Sequence, residues 1–258
     1  MQKEKMRALL SGLKGDIGFS AFDPQTGDRL TLNPELPLQA ASVIKLFVMA
    51  EAFRQREAGE FDFAETVTVR EEDHLPSCGA LTYLHSPLTL PWGDLVTLMI
   101  ILSDNTATNL LIDRLGADSI NATIDRLGMV GTRLRRKLFQ PELARQGIQN
   151  TVCAADTERL LLMIHREELI SPAASREMLQ LLMDQRLNGK MPFYLHSLDI
   201  DCAHKTGEDD GITHDVGIIF AERPVFFSFL SEHTDVPEAE RALQELALLA
   251  IIAPPTNS

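Results

Sequence analysis

The stretch Val43-Ile-Lys-Leu-Phe-Val-Met-Ala-Glu-Ala-Phe53 is apolar on nearly every side of a helical wheel. This predicts a helix buried all round, so the chain must supply layers of structure on every side of it. Lys45 interrupts the pattern. At i and i+3, Ser42 and Lys45 lie on one face of the first helical turn, with the amine in reach of the hydroxyl. Burial disfavours an ammonium, which drives Lys45 toward the neutral amine a general base requires. The helix N-terminus adds N–H groups and a positive dipole end suited to developing negative charge. Taken alone, S-x-x-K also describes an N-cap serine followed by a lysine whose amine snorkels to the surface. The other motifs must decide between the two.

A chain of 258 residues with 45% hydrophobic content has enough material to bury such a helix, as one large domain or two interleaved lobes. A formal net charge of −13 argues against a broad nucleic-acid or anionic-membrane surface, and a small-molecule partner is expected instead. The longest apolar runs, Leu98 to Leu102 and Leu246 to Ala253, fall short of a membrane span. No apolar run of signal-peptide length follows the basic start, so the sequence as given points to the cytoplasm, or to the periplasm or outside if the N-terminus has been trimmed. Cys78, Cys153 and Cys202 are widely separated with no C-x-x-C, which disfavours a disulfide framework. His74, Cys78 and His85 lack a tight pair or a fourth ligand and read as loop residues, so no metal or other cofactor is expected.

In chain order, Lys3 to Leu13 reads as an amphipathic helix stopping near Gly15. A hairpin follows, Ile17 to Phe22 and Arg29 to Leu32 around the turn-rich Asp23-Pro-Gln-Thr-Gly-Asp28. Strand signals then become sparse between Gly59 and Leu195. Helices are predicted at Trp92 to Leu102, Thr106 to Leu115, Ala117 to Leu127 and Ala154 to Arg166, with Ser171-Pro172 opening another over Ala173 to Met183. The basic stretch from Thr132 to Asn150 has no clean period and reads as loop. Strands return at Asp201 to Thr206, His214 to Ala221 and Val225 to Ser231. Asp235-x-x-Glu238 reads as a capping box for a last helix, Pro237 to Ala253. The predicted fold is α/β (α+β) in two lobes: residues 1–57 and 196–258 form an antiparallel sheet flanked by terminal helices, and 58–195 an inserted all-α lobe.

Ser103-Asp104-Asn105 lies between two apolar helices, where by default it is a capped turn. His204-Lys205-Thr206-Gly207 closes a strand, where by default Lys205 is solvated. Together with Ser42-x-x-Lys45, in this order, they match the S-x-x-K, S-D-N and K-T-G signature of class A β-lactamases and penicillin-binding proteins. The chain resembles the class A β-lactamase family over essentially its whole length, and its spacing is closer to class A than to most penicillin-binding transpeptidases. That resemblance implies a hydrolase that opens β-lactams through an acyl-enzyme at Ser42, the chemistry of β-lactam resistance. Lys45 would be the base, Ser103 would pass a proton to the leaving nitrogen, and the backbone N–H groups of Ser42 and Glu208 would form the oxyanion hole after Gly207. Asn105 would hold the substrate amide and Lys45, while Lys205 and Thr206 would bind a substrate carboxylate. His214 could assist that carboxylate or be an ordinary strand histidine.

The departure lies where class A enzymes carry E-P-E-L-N. Here the chain reads Gln140-Pro141-Glu142-Leu143-Ala144, so both partners of the hydrolytic water are missing, and an amide cannot accept the proton. The stretch to Asn150 also looks shorter than the class A loop and more closely resembles a subgroup usually called serine hydrolases, with an R-K-x-x-D-like segment here. Glu142 reads either as a substitute base or as a salt-bridge partner of Arg135 or Arg136. Deacylation is therefore expected to be slow. The alternatives are a D-alanyl peptidase or esterase using the same site, or a penicillin-binding sensor acylated without turnover.

Overall fold

Most of the predicted periods become elements in a computed structural model that describes residues 1–76 and 78–252. Helix α1 (Lys3–Gly12) leads into the hairpin β1 (Asp16–Asp23) and β2 (Asp28–Leu32), then a short β3 (Leu38–Gln39) and a 3₁₀ turn, Ala41–Ile44. Next come α2 (Lys45–Glu57), β4 (Thr66–Val69), β5 (Leu88–Pro91), α3 (Trp92–Ile101), α4 (Asn105–Leu115) and α5 (Ala117–Arg126). The short α6 (Pro141–Arg145) and β6 (Thr151–Val152) precede α7 (Ala154–His165) and α8 (Pro172–Met183). The chain closes with β7 (Asp201–Asp209), β8 (Ile212–Phe220), β9 (Pro224–Glu232) and α9 (Val236–Ile251). The Ser171 and Asp235 caps form as expected, each side chain accepting the N–H three residues on. The predicted end of the last helix, Ala253, lies outside the described residues.

Five strands form one antiparallel sheet in the order β2-β1-β9-β8-β7. Alternation along each strand divides its side chains between two cores. Phe19, Phe227, Phe229 and Ile219 face α1 and α9 and pack with Met6, Leu10, Leu243 and Leu246. Phe226, Leu230, Ile218 and Val216 face the other way, into the core shared with the helical lobe. There α7 lies on the sheet, where Thr157 Oγ1 donates to Ser228 Oγ at 2.9 Å and Ser20 bonds Glu158.

Leu46, Phe47, Val48, Met49 and Phe53 of α2 are all buried, because α3, α4, α5 and α8 surround the helix. Each such side chain contributes roughly 1.5–3 kcal/mol by leaving water. Glu51 is buried in the same helix, satisfied by Arg54, Gln55 and Thr123. Packing runs across the boundary expected at residues 58 and 195. Helix α2 is the centre of the helical lobe although it lies before residue 58, and α7 covers the sheet although it lies inside the inserted segment. The β4–β5 ribbon is a further strand pair inside a lobe expected to be all-α.

Candidate active site

Three elements converge at the end of the sheet: the 3₁₀ turn carrying Ser42, the α3–α4 junction carrying Ser103 to Asn105, and the edge strand β7. A cleft of about 570 Å³ opens between them and the loop that ends in α6. Ser42 is half-buried at its floor. The turn and β7 approach closely, since a Cβ on Gly207 would stand 3.2 Å from Val43 Cγ2 and 3.0 Å from His214 Cδ2.

Lys45 is 0% exposed. Its Nζ lies 2.7 Å from the Ser103 carbonyl, 2.9 Å from Asn105 Oδ1 and 3.0 Å from both Ser42 Oγ and Ser103 Oγ. The carbonyl and the amide oxygen only accept, and the Asn105 orientation is set by its Nδ2 donating to Pro76 O. Two amine N–H groups satisfy those two acceptors, so a neutral amine there would have its one lone pair left for a serine hydroxyl. Burial pushes the Lys45 pKa well below its ordinary value, the nearby Lys205 charge pushes it further down, and Asp104 opposes. Burial and the Lys205 charge both favour the neutral amine within reach of Ser42.

Ser103 takes a positive φ of 55°, a conformation that costs a non-glycine residue about 1 kcal/mol or more. It is held there by Asp104, which caps α4 at Ala107 N and also accepts from Ala80 N and Leu81 N. A Cβ on Gly79, at φ 119°, would collide with the Asp104 carboxylate. The strained turn places Ser103 Oγ between two amines, 3.0 Å from Lys45 Nζ and 3.0 Å from Lys205 Nζ. Lys205 is also 0% exposed and donates its other bond to Thr206 O at 2.9 Å. Burial brings its pKa down to about 7, with the Asp215 carboxylate pushing the other way. Lys205 does not itself reach the cleft surface, where Thr206 and Glu208 form the β7 wall. Its charge is presented through Ser103. Asp215, opposite Thr206 across the β7–β8 ladder, accepts from Met191 N and bonds His204 Nδ1 at 2.8 Å.

His214 does not serve the cleft. Its Nε2 donates to Gln39 O at 2.8 Å, its Nδ1 accepts from Ser231 N at 3.1 Å, and the ring is fully buried. With both nitrogens occupied by backbone it ties β3 to β8 and β9, and burial pushes its pKa down to about 4, leaving it neutral. Of the two readings open for it, these bonds match the ordinary strand histidine. Glu142 is in a salt bridge, as one of its two readings had it, but with a different arginine. On the first turn of α6 it pairs with Arg145, not with Arg135 or Arg136, and its side chain is 74% exposed and off the cleft wall.

Gln140 and Ala144 do line the cleft, as the alignment with E-P-E-L-N requires. Gln140 Oε1 accepts the Lys137 N–H at 3.0 Å. The loop around them is closed at its neck by paired bonds between Arg133 and Thr151 and by Asn150, whose Oδ1 accepts from Arg135 N and Arg136 N. Asn109 of α4 fastens it at Leu138 through both ends of its amide. Sequence reasoning missed Gln39, Gln149 and above all Arg136 as cleft residues, and the run Arg133 to Lys137 was the signal that pointed there. His74 bonds Ser86, and among the described residues no cluster of ligating side chains suits a metal ion. None of their helices is long and apolar enough to cross a membrane.

Residues 2–252 match the family described as the beta-lactamase enzyme family. Beta-lactamase AER-1 of Aeromonas hydrophila is 25% identical over 202 residues, covering 76% of this chain and 66% of that protein, just under two thirds of its length. A solved beta-lactamase from Sphaerobacter thermophilus DSM 20745 superposes with a TM-score of 0.90 at 28% identity, over 99% of this chain and 100% of that one. An ancestral class A beta-lactamase shares the fold at a TM-score of 0.86 and 24% identity, over 96% and 98% of the two chains.

Proposed function

The chain belongs to the beta-lactamase enzyme family and has the class A β-lactamase fold, and on that premise we propose that it is a serine hydrolase that opens β-lactams through an acyl-enzyme at Ser42. The observation that carries the proposal is the buried Lys45 amine, 3.0 Å from Ser42 Oγ, close enough to take its proton once neutral.

Lys45 takes the Ser42 proton as Oγ bonds the carbonyl carbon, and the N–H groups of Ser42 and Glu208 receive the negative charge on the carbonyl oxygen. Collapse breaks the carbon–nitrogen bond. The proton passes from Lys45 through the Ser103 hydroxyl to the departing nitrogen, along contacts that are each 3.0 Å in the resting site. A substrate carboxylate sits on the Thr206 hydroxyl with the Lys205 charge behind it, and Asn105 holds the acyl amide. Water must then lose a proton to attack the ester. Gln140 has no basic group to accept it and Ala144 offers no hydrogen bond, so acylation outruns deacylation.

That same pair of residues favours a second reading, a protein acylated once by a β-lactam or an acyl-peptide that stays acylated as a signal. Labelling with a fluorescent penicillin tests the shared step. Wild type is labelled and Lys45→Ala is labelled at least about 10²-fold more slowly. Equal labelling rates in folded wild type and Lys45→Ala would refute the role given to Lys45.

A further inference from the structure

One charge on the cleft wall is not used by the acylation chemistry. Arg136 is half-buried, and its guanidinium donates from Nε to Ile148 O at 3.0 Å, from Nη1 to Lys137 O at 3.1 Å and from Nη2 to Gln149 Oε1 at 2.6 Å. All three acceptors are uncharged. A guanidinium carries five N–H groups, so one on each terminal nitrogen remains after these bonds. Burial pushes the Arg136 pKa below its ordinary value and the Asp209 carboxylate pushes it back up, so the two groups sense each other. They are not in ion-pair contact.

Asp209, the last residue of β7, lines the same cleft. Its Oδ2 accepts from Gln39 Nε2 at 2.8 Å and its Oδ1 from Asp210 N at 2.9 Å, again uncharged partners. The neighbouring cleft acid, Glu208, is already paired with Lys190 at 3.1 Å. The cleft therefore holds a half-buried cation and a solvent-exposed anion, each hydrogen-bonded to neutral groups and not ion-paired with the other. A ligand carrying only a carboxylate would meet Arg136 but be opposed by Asp209, and one carrying only an amine would meet the reverse. A ligand with both charges on adjoining atoms satisfies both groups, and a carboxylate matches the geometry of a guanidinium fork.

Resting on the reading of Ser42 as the acylated residue, we propose that this cleft selects acyl donors whose acyl chain ends in an α-amino acid, with its carboxylate on Arg136 and its ammonium on Asp209. The amide oxygen of Gln39, on the carboxamide that holds Asp209, adds a second acceptor for the ammonium.

Three cephalosporins sharing one nucleus and differing only in the 7-acyl chain test this: 5-amino-5-carboxypentanoyl, 5-carboxypentanoyl and hexanoyl. The second-order rate of adduct formation is read by intact mass. Wild type should acylate with the amino-acid chain about tenfold faster than with hexanoyl, the effect of one well-placed charged hydrogen bond. Asp209→Asn should abolish the preference for the amino-acid chain over its desamino counterpart. Arg136→Gln should abolish the preference of the amino-acid chain over hexanoyl. Because Arg136 also fastens the loop, Asp209→Asn is the arm that does not depend on loop folding. Equal rates for the three chains in wild type would overturn the proposal while leaving Ser42 acylation intact. Failure of all three, and of benzylpenicillin, to form an adduct would remove the Ser42 reading and this proposal with it.

Discussion

Replacing Gln140 with glutamate should restore the second half of a reaction whose first half is already in place. In the wild type the Gln140 acceptor oxygen takes the Lys137 N–H at 3.0 Å, and the side chain borders the cleft over Ser42. A glutamate in the same rotamer keeps that bond with one carboxylate oxygen and frees the other to take a proton from water. General-base help of this kind contributes about 10²–10⁴-fold. The Lys137 N–H stabilises the carboxylate and so weakens it as a base, and Ala144 still leaves the water without its second partner. The lower end applies, about 10²-fold, which is about 2.7 kcal/mol off the deacylation barrier. Stopped-flow absorbance with nitrocefin separates the steps. Wild type should release about one equivalent of product in a burst and then turn over slowly. Gln140→Glu should leave the burst amplitude at one equivalent or lower and steepen the slow phase. Fast wild-type turnover without a burst would refute this reasoning, and so would a variant whose slow phase is unchanged although its burst remains.

Further perturbations probe the surrounding structure. The kcat/KM for acylation by a carboxylate-bearing β-lactam should fall as pH rises through about 7, because Lys205 loses its proton above that value, and Asp215→Asn should move this limb to lower pH by removing the charge that holds the pKa up; an unmoved limb would contradict it. Gly79→Ala places a methyl against the Asp104 carboxylate at φ 119°, so urea denaturation should show a loss of about 1–3 kcal/mol with slower acylation, and a stability equal to wild type would show that Asp104 does not need that close approach. Glu142→Gln breaks only an exposed pair with Arg145, so the nitrocefin slow phase should not change; a tenfold drop would reinstate Glu142 as a base.

Legibility in the sequence followed the strength of the local physics. Helix α2 was readable because few polar side chains interrupt its apolar run, and one of them, Lys45, supplied the chemical clue. The sheet strands carry alternation strong enough to place them within a residue or two, except β7, which continues past Thr206 to Asp209. The β4–β5 ribbon was missed although Thr66-Val-Thr-Val69 alternates, because four residues give too little period to outweigh the helical signals around them. The three motifs showed which residues meet but not how. Only coordinates reveal that Ser103 is held at positive φ between two lysines, and that Lys205 faces Ser103 rather than the open cleft. For His214 and Glu142 the sequence left two readings open for one shared reason. A sequence names a residue's charge but not its partners, and here a backbone carbonyl and a neighbouring arginine had already taken them. Arg136 sits in a stretch without period, where position depends on long-range bonds to Ile148, Gln149 and Asn150.

Ser42 as the acylated residue is the claim from which the rest follows, and intact-protein mass spectrometry after incubation with benzylpenicillin measures it directly. The account predicts one added penicillin mass on the wild type, persisting for minutes, with peptide mapping placing it on Ser42 and none on folded Ser42→Ala. An adduct of the same size on Ser42→Ala, or one mapped to another residue, would contradict it.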